Sequence, residues 1–349
     1  VVAPVLALHD PGGAKNDWDG YSVALSGADE IVGSPLVNQG TGAVYSYDSS
    51  GKLLHTFRDP NGSGNYLFGA AVATSGSNVL VGATSDNNGT GSAYLFDISG
   101  KLLRTFHDPD PGIADFGIAV ALSGNDVLVG ASGQNGGTSA AYLFNTSGHL
   151  LHTFPVMQQI GTQFGDWVSL SGNNVLIGSQ GTNGQMGVAY LYRTSGQLIH
   201  TFQAPGAMAG DGDAFGCSVA LSGTNVAVGD VGSDSVYLFN TSGHLLRTFQ
   251  APDTEPPNST LAFSVALSQT NVLIGAMGQF DGTGAVYLYS TSGQLLETLK
   301  DPNGPGEDGF AQSAALSGTK ILVGAVGFLN GFSAAYLYTL PSHSRGSGS

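Results

Sequence analysis

One series of residues returns seven times along this chain, and that repetition restricts its fold more than any other feature. It is clearest in Phe116-Gly117-Ile118-Ala119-Val120-Ala121-Leu122-Ser123-Gly124, followed by Val127-Leu128-Val129-Gly130-Ala131. Ala141-Tyr142-Leu143-Phe144-Asn145-Thr146-Ser147-Gly148 and Leu150-Leu151-His152-Thr153-Phe154 complete the unit. The series recurs about every 48 residues, a period found in propeller blades. Gly20, Gly69, Gly165, Gly216, Ala262 and Ala311 take the place of Gly117 in the other units. Each unit holds four short strand patterns, here called A to D, the number that one blade requires.

The pattern predicts an all-β, seven-bladed β-propeller of four-stranded antiparallel blades. A single propeller is expected over residues 1–341, with blades near 18–58, 66–107, 115–154, 163–203, 214–250, 261–299, and 309–340 plus 3–9. Ser123-Gly124-Asn125 should turn between strands A and B, and Thr146-Ser147-Gly148 between C and D, with glycine supplying the positive φ of tight turns. Strand C carries Tyr45, Tyr94, Tyr142, Tyr190, Tyr237, Tyr287 and Tyr336 at one position. Two residues later the same face shows Tyr47, Phe96, Phe144, Tyr192, Phe239, Tyr289 and Tyr338, with mostly Leu between them on the opposite face. Both faces are apolar and need cover, which neighbouring blades provide.

The ends of the chain make an independent argument. The seventh unit stops after strand C at Tyr338-Thr339-Leu340, and its missing strand D stands at the front of the chain. There Val5-Leu6-Ala7-Leu8-His9-Asp10-Pro11 matches Leu53-Leu54-His55-Thr56-Phe57-Arg58-Asp59-Pro60. The first strand is therefore expected to close the ring on the last blade. The opening Val1-Val2-Ala3-Pro4 suits a processed secreted protein or a trimmed chain, and residues 342–349 read as a flexible tail.

A formal charge of −15 argues against nucleic acid and against anionic membranes, which attract basic surfaces. No apolar run approaches the roughly 18 residues of a membrane-spanning helix. Cys217 is the sole cysteine and falls inside a strand pattern, as a small buried side chain would.

The Phe-Gly pair, the small apolar strand after it and the Val-Gly-Ala strand resemble the FG-GAP repeat of integrin α-subunit heads and bacterial surface proteins. Phe68-Gly69, Phe164-Gly165 and Phe215-Gly216 keep the pair, Phe310-Ala311 keeps half, and Asp19-Gly20 and Leu261-Ala262 depart from it. The resemblance implies the propeller and a secreted or cell-surface setting. Integrin-type repeats often carry a D-x-D-x-D-G calcium loop between strands A and B. Ser123-Gly124-Asn125-Asp126 and Ser222-Gly223-Thr224-Asn225 are too short and too poor in carboxylates for one.

In a propeller the D–A and B–C links share one rim, the top, and the A–B and C–D links share the other. The bottom turns are short and near-identical, whereas the top links vary, and variable links on a rigid frame are where binding resides. Nineteen of the 25 acidic residues lie in or beside top links, so an acidic top face is expected. Binding candidates there are Trp18, Tyr66, Asp86, Asp110, Asp115, Asp234, Phe280, Asp281, Phe328 and Phe332. The pairs Asp17 with Asp19, Asp108 with Asp110, and Asp211 with Asp213 have a spacing that could ligate Ca²⁺. Asp-Pro at the end of strand D (Asp10-Pro11, Asp59-Pro60, Asp108-Pro109, Asp301-Pro302) reads as a strand stop and turn cap. The sequons Asn88-Gly89-Thr90 and Asn258-Ser259-Thr260 are compatible with glycosylation.

Motifs for a catalytic nucleophile, a phosphate loop or a His/Cys metal site are absent. His55, His152 and His200 share one place on strand D of different blades and read as surface positions. The expectation is a non-catalytic binding or structural module, without a required cofactor, that meets a protein or glycan through its acidic top face. Two alternatives remain: head-to-tail self-association into filaments through oppositely charged faces, and a lectin or carbohydrate-active enzyme.

Overall fold

The computed structural model describes residues 5–12, 17–27, 29–62, 66–110, 115–133, 139–156, 163–181, 186–206, 214–252, 259–278, 284–302, 309–327 and 333–340. They form seven four-stranded antiparallel sheets arranged as a ring. The first blade runs Ser22–Ser26, Asp29–Ser34, Ala43–Tyr47 and Leu53–Arg58, from the channel outward. The second is Phe68–Ser75, Asn78–Ala83, Ser92–Asp97 and Leu102–His107, and the next four repeat the order. The seventh takes Phe310–Ser317, Lys320–Ala325 and Ala334–Thr339 from the end of the chain and Val5–Leu8 from its beginning. Val5 pairs with Tyr338 and Leu8 with Ala335, so the N-terminal segment is this blade's strand D.

Both strand C aromatics are buried in every blade. Phe57 meets Phe96 edge-on, with ring centroids 5.5 Å apart, and Phe154 lies 4.9 Å from Tyr192, so rings of adjacent blades interlock. The predicted interblade ladder is the hydrophobic core.

The Phe-Gly pair has a specific mechanical task. The register of strand A against strand B slips between Phe116 and Ala119, a bulge that turns Gly117 to φ +94°. The Gly117 carbonyl is thereby thrust against Gly82 in strand B of the preceding blade, where any Cβ would collide with it. The Val-Gly-Ala glycine and the Phe-Gly glycine are therefore two halves of one close backbone approach. Serine reinforces it at four junctions among the described residues. Ser22 Oγ donates to the Gly69 carbonyl at 2.8 Å, Ser218 to Ala262 at 2.7 Å, Ser264 to Ala311 at 2.9 Å and Ser313 to Gly20 at 2.8 Å.

The strand D histidines depart from the surface reading given to them. His55, His152 and His200 are half-buried, each edge-on to the Phe two residues later. Their rings lie over Gly100, Gly196 and Gly243, the C–D turn glycines of the following blades, where a Cβ would strike them. They act as clips between blades. Periodicity gave their place on the strand but not that a bare turn glycine would sit beneath each ring.

Candidate functional site

The bottom C–D turns are built alike. Asp48, Asp97, Asn145 and Asn240 each use one side-chain oxygen to accept the backbone N–H four residues on, at 3.0 to 3.1 Å. Those side chains are consumed in closing the turn.

At the top rim two of the four Asp-Pro aspartates, Asp59 and Asp108, cap their turns as the sequence suggests. Asp59 Oδ1 accepts from Asn61 N–H and Asp108 Oδ1 from Asp110 N–H, both at 2.7 Å. The same carboxylates face strand C tyrosines of the following blade: Asp10 faces Tyr45, and Asp108 faces Tyr142. Burial, then the neighbouring aspartate, pushes both phenols well above the ordinary tyrosine range.

The second blade completes this arrangement into a bridge. Asp86, from the B–C link, is 2% exposed. It accepts from the Tyr94 hydroxyl, from Asn87 N–H at 2.6 Å and from Asn61 Nδ2 at 3.0 Å. Asn61 comes from the D–A link and also donates to the Tyr94 oxygen at 2.8 Å, so it spans the gap between the two links. Burial acts to raise Asp86, but its hydrogen bonds from Tyr94, Asn87, Ser92 and Asn61 outweigh that and hold the carboxyl below its usual value. Asp59 beside it is 5% exposed and pushed up to about 6 by burial and then by the Asp86 charge.

In the first blade Gly12 stands where the second has Asn61, and Val37 where it has Asp86. Neither can bridge, and a cavity of about 560 Å³ opens between the closing strand's link and the first blade. Asp10, Asp17, Tyr45, Thr56 and Arg58 line it, with Asn38 and Gln39 on its outer lip. These two lip residues are exposed and hold left-handed conformations, φ +53° and +62°.

A second cavity, about 380 Å³, is the central channel, lined by strand A of all seven blades. Its wall is largely Ala and Val, with Tyr21, Trp167 and Phe263 and one carboxylate, Asp166. Burial pushes Asp166 up to about 6, opposed by Ser132 and assisted by the Asp115 charge.

The candidates suggested by the sequence divide into four groups. Trp18 is half-buried and stacks on Tyr21 with centroids 5.4 Å apart, while Tyr66 is half-buried and binds Gly40 O through its N–H at 3.0 Å. Asp110 and Asp234 are exposed, and Asp115 is half-buried. Phe280, Asp281, Phe328, Phe332, Asp211 and Asp213 lie outside the described residues. Asp86 requires correction, because it is buried in a bridge and presents nothing to a partner. Asp19 is also buried. Its two oxygens are engaged by Asp10 N–H and the Ser34 hydroxyl, and burial pushes the carboxyl up to about 6 against those bonds.

Asp10, Asp59, Asp230 and Asp301 are buried as well, so the top face turns less negative charge to solvent than the sequence implies. Head-to-tail stacking loses part of its charge in consequence. No group of three or more His, Cys, Asp or Glu side chains suited to a metal occurs among the described residues. The cavity beside Asp10 escaped the sequence reading, although the repeat carried its signal in the exchanges of Asn61 for Gly12 and Asp86 for Val37.

Comparison with known families finds an FG-GAP repeat over residues 56–96. That span runs from strand D of the first blade through Phe68-Gly69 and Val81-Gly82-Ala83 to Phe96, and so includes the second blade's bulge and the Asn61–Asp86 bridge. None of the curated proteins compared matches the chain.

Proposed function

We propose that this propeller is a non-catalytic binding module of the cell surface or extracellular space, holding a glycan at its top rim. One observation carries the reading: the differences between blades gather in the top links, while four bottom C–D turns share one closing hydrogen bond. A ring that only needed to stand would have no use for that asymmetry.

The chemistry at the rim suits sugar hydroxyls. Carboxylates, carboxamides and a guanidinium line the cavity beside the closing strand, and planar polar groups with apolar surfaces between them orient a polyhydroxylated ring. Trp18 and Tyr66, both half-buried, stand in the top links. The net charge of −15 disfavours polyanionic partners.

A glycan array probed with the labelled chain, with and without Ca²⁺, tests the reading. Binding to a defined group of glycans supports it. A silent array under both conditions would reject it and direct the search to a protein partner.

A further inference from the structure

We propose that the central channel binds a small organic ammonium, a protonated primary amine with an apolar body, through Asp166. The channel lies apart from the rim links considered above, and its ligand is independent of any glycan bound there.

The repeat marks the place. The position directly after the bulge glycine or alanine carries seven different residue types in the seven blades, among them Tyr21, Ile118, Asp166, Phe263 and Gln312. Two residues on, strand A carries Val in six blades and Ala314 in the last. Six of the seven residues at the first position and all seven at the second line the channel. A wall that only had to be filled would repeat at both levels, as it does at the second. The variable layer stands where strand A leaves the top links, the rim at which the blades differ.

The chemistry of that layer calls for a cation. Four serines of the wall, Ser22, Ser218, Ser264 and Ser313, spend their hydroxyls on carbonyls of the next blade. Asp166 has no such outlet, since its Oδ1 is buried with no hydrogen-bond partner among the described residues. Burial works against its charge and the Asp115 carboxylate adds a like one, while none of the described residues lining the channel is basic. A carboxylate so placed is stabilised by a positive group brought from outside.

The rest of the wall selects the kind of cation. Calcium takes roughly six to eight oxygen ligands, and around this one carboxylate the channel is largely Ala and Val with the rings of Tyr21, Trp167 and Phe263. An ammonium needs few acceptors and is drawn to aromatic rings. Its apolar body suits the Ala and Val wall, and about 380 Å³ is the size of a small-ligand pocket.

The test uses saturation-transfer NMR and calorimetry at pH 7.5 with butylamine, benzylamine and 2-phenylethylamine, all protonated there. Each amine is compared with the alcohol of the same carbon skeleton, on the wild type and on Asp166→Asn. At least one amine should bind the wild type, and its alcohol should bind about tenfold more weakly or not at all. Asp166→Asn should lower the amine affinity by about tenfold or more. That change keeps the side chain's shape, and the alcohol comparison on the wild type answers even if the variant fails to fold. Failure of every amine to bind would overturn the proposal. So would an alcohol that binds as well as its amine, or a folded Asp166→Asn that binds amines like the wild type.

Discussion

The hydroxyl of Tyr47 in the first blade donates to the backbone carbonyl of His9, just past the closing strand, at 2.7 Å. Tyr289 and Tyr338 make the same bond to Gln250 and Lys300, at 3.2 and 3.3 Å, so the closing strand is received like any strand D inside the ring. The Tyr192 hydroxyl is buried without a hydrogen-bond partner among the described residues. Tyr47→Phe should therefore cost about 1 kcal/mol in urea unfolding, whereas Tyr192→Phe should be neutral or slightly stabilising. Equal losses at the two sites would show that the hydroxyl bond is not what holds the seam.

The seam also carries Lys320 Nζ against Glu30 Oε1 at 2.8 Å, joining the last blade to the first. Glu30 is fully buried; burial raises its carboxyl pKa and Lys320 opposes that. Lys320→Met would leave the carboxylate without its countercharge and should destabilise the protein by about 3 kcal/mol at neutral pH. Adding Glu30→Gln should recover most of the loss. Additive losses in this double-mutant cycle would contradict a coupled pair.

Ala262 and Ala311 occupy the bulge position with φ +66° and +76°, where five blades have glycine. A side chain in the left-handed region costs about 1–2 kcal/mol, partly offset by the unfolded-state freedom that glycine adds. Either Ala→Gly change should raise stability by about 0.5–1 kcal/mol, measured by chemical denaturation. A loss would mean that the methyl group packs too well to be spared.

Asp19, Asp59 and Asp166 hold their protons to about pH 6 in the folded chain, raised from an ordinary 3.8, with burial the first cause in each. Unfolding releases those protons more easily, so their contribution is greatest at low pH and is lost as pH rises through 6. Thermal unfolding should occur several degrees higher at pH 5 than at pH 7.5. Asp59→Asn should reduce that difference, and an unchanged slope would show that Asp59 ionises as an exposed carboxyl does.

The ring was legible in the sequence because each strand repeats the same solution to one packing problem. The aromatic face of strand C, the Phe-Gly bulge and the displaced strand D at Val5–Leu8 all follow from periodicity. The candidate site was legible only in part, because spacing does not reveal burial. Asp86 and Asp19 look like exposed rim carboxylates in sequence, yet backbone N–H groups and hydroxyls from distant residues draw both inside. The place of His55 is hidden for the related reason that its partner, Gly100, lies in the next blade and has no side chain to signal the contact. The cavity at Gly12 and Val37 is written as a difference between repeats, which appears only when each blade is compared with its neighbour.

The central claim is that the top rim binds a glycan and the bottom turns do not. One glycan-array experiment tests it with the wild type, a top-rim variant (Trp18→Ala/Tyr66→Ala) and a bottom-turn variant (Lys101→Ser/Arg193→Ser), each confirmed folded by its melting curve. The account predicts that the top-rim variant loses the wild-type glycan signal and the bottom-turn variant retains it. Retention by the top-rim variant, with loss in the bottom-turn variant, would contradict it.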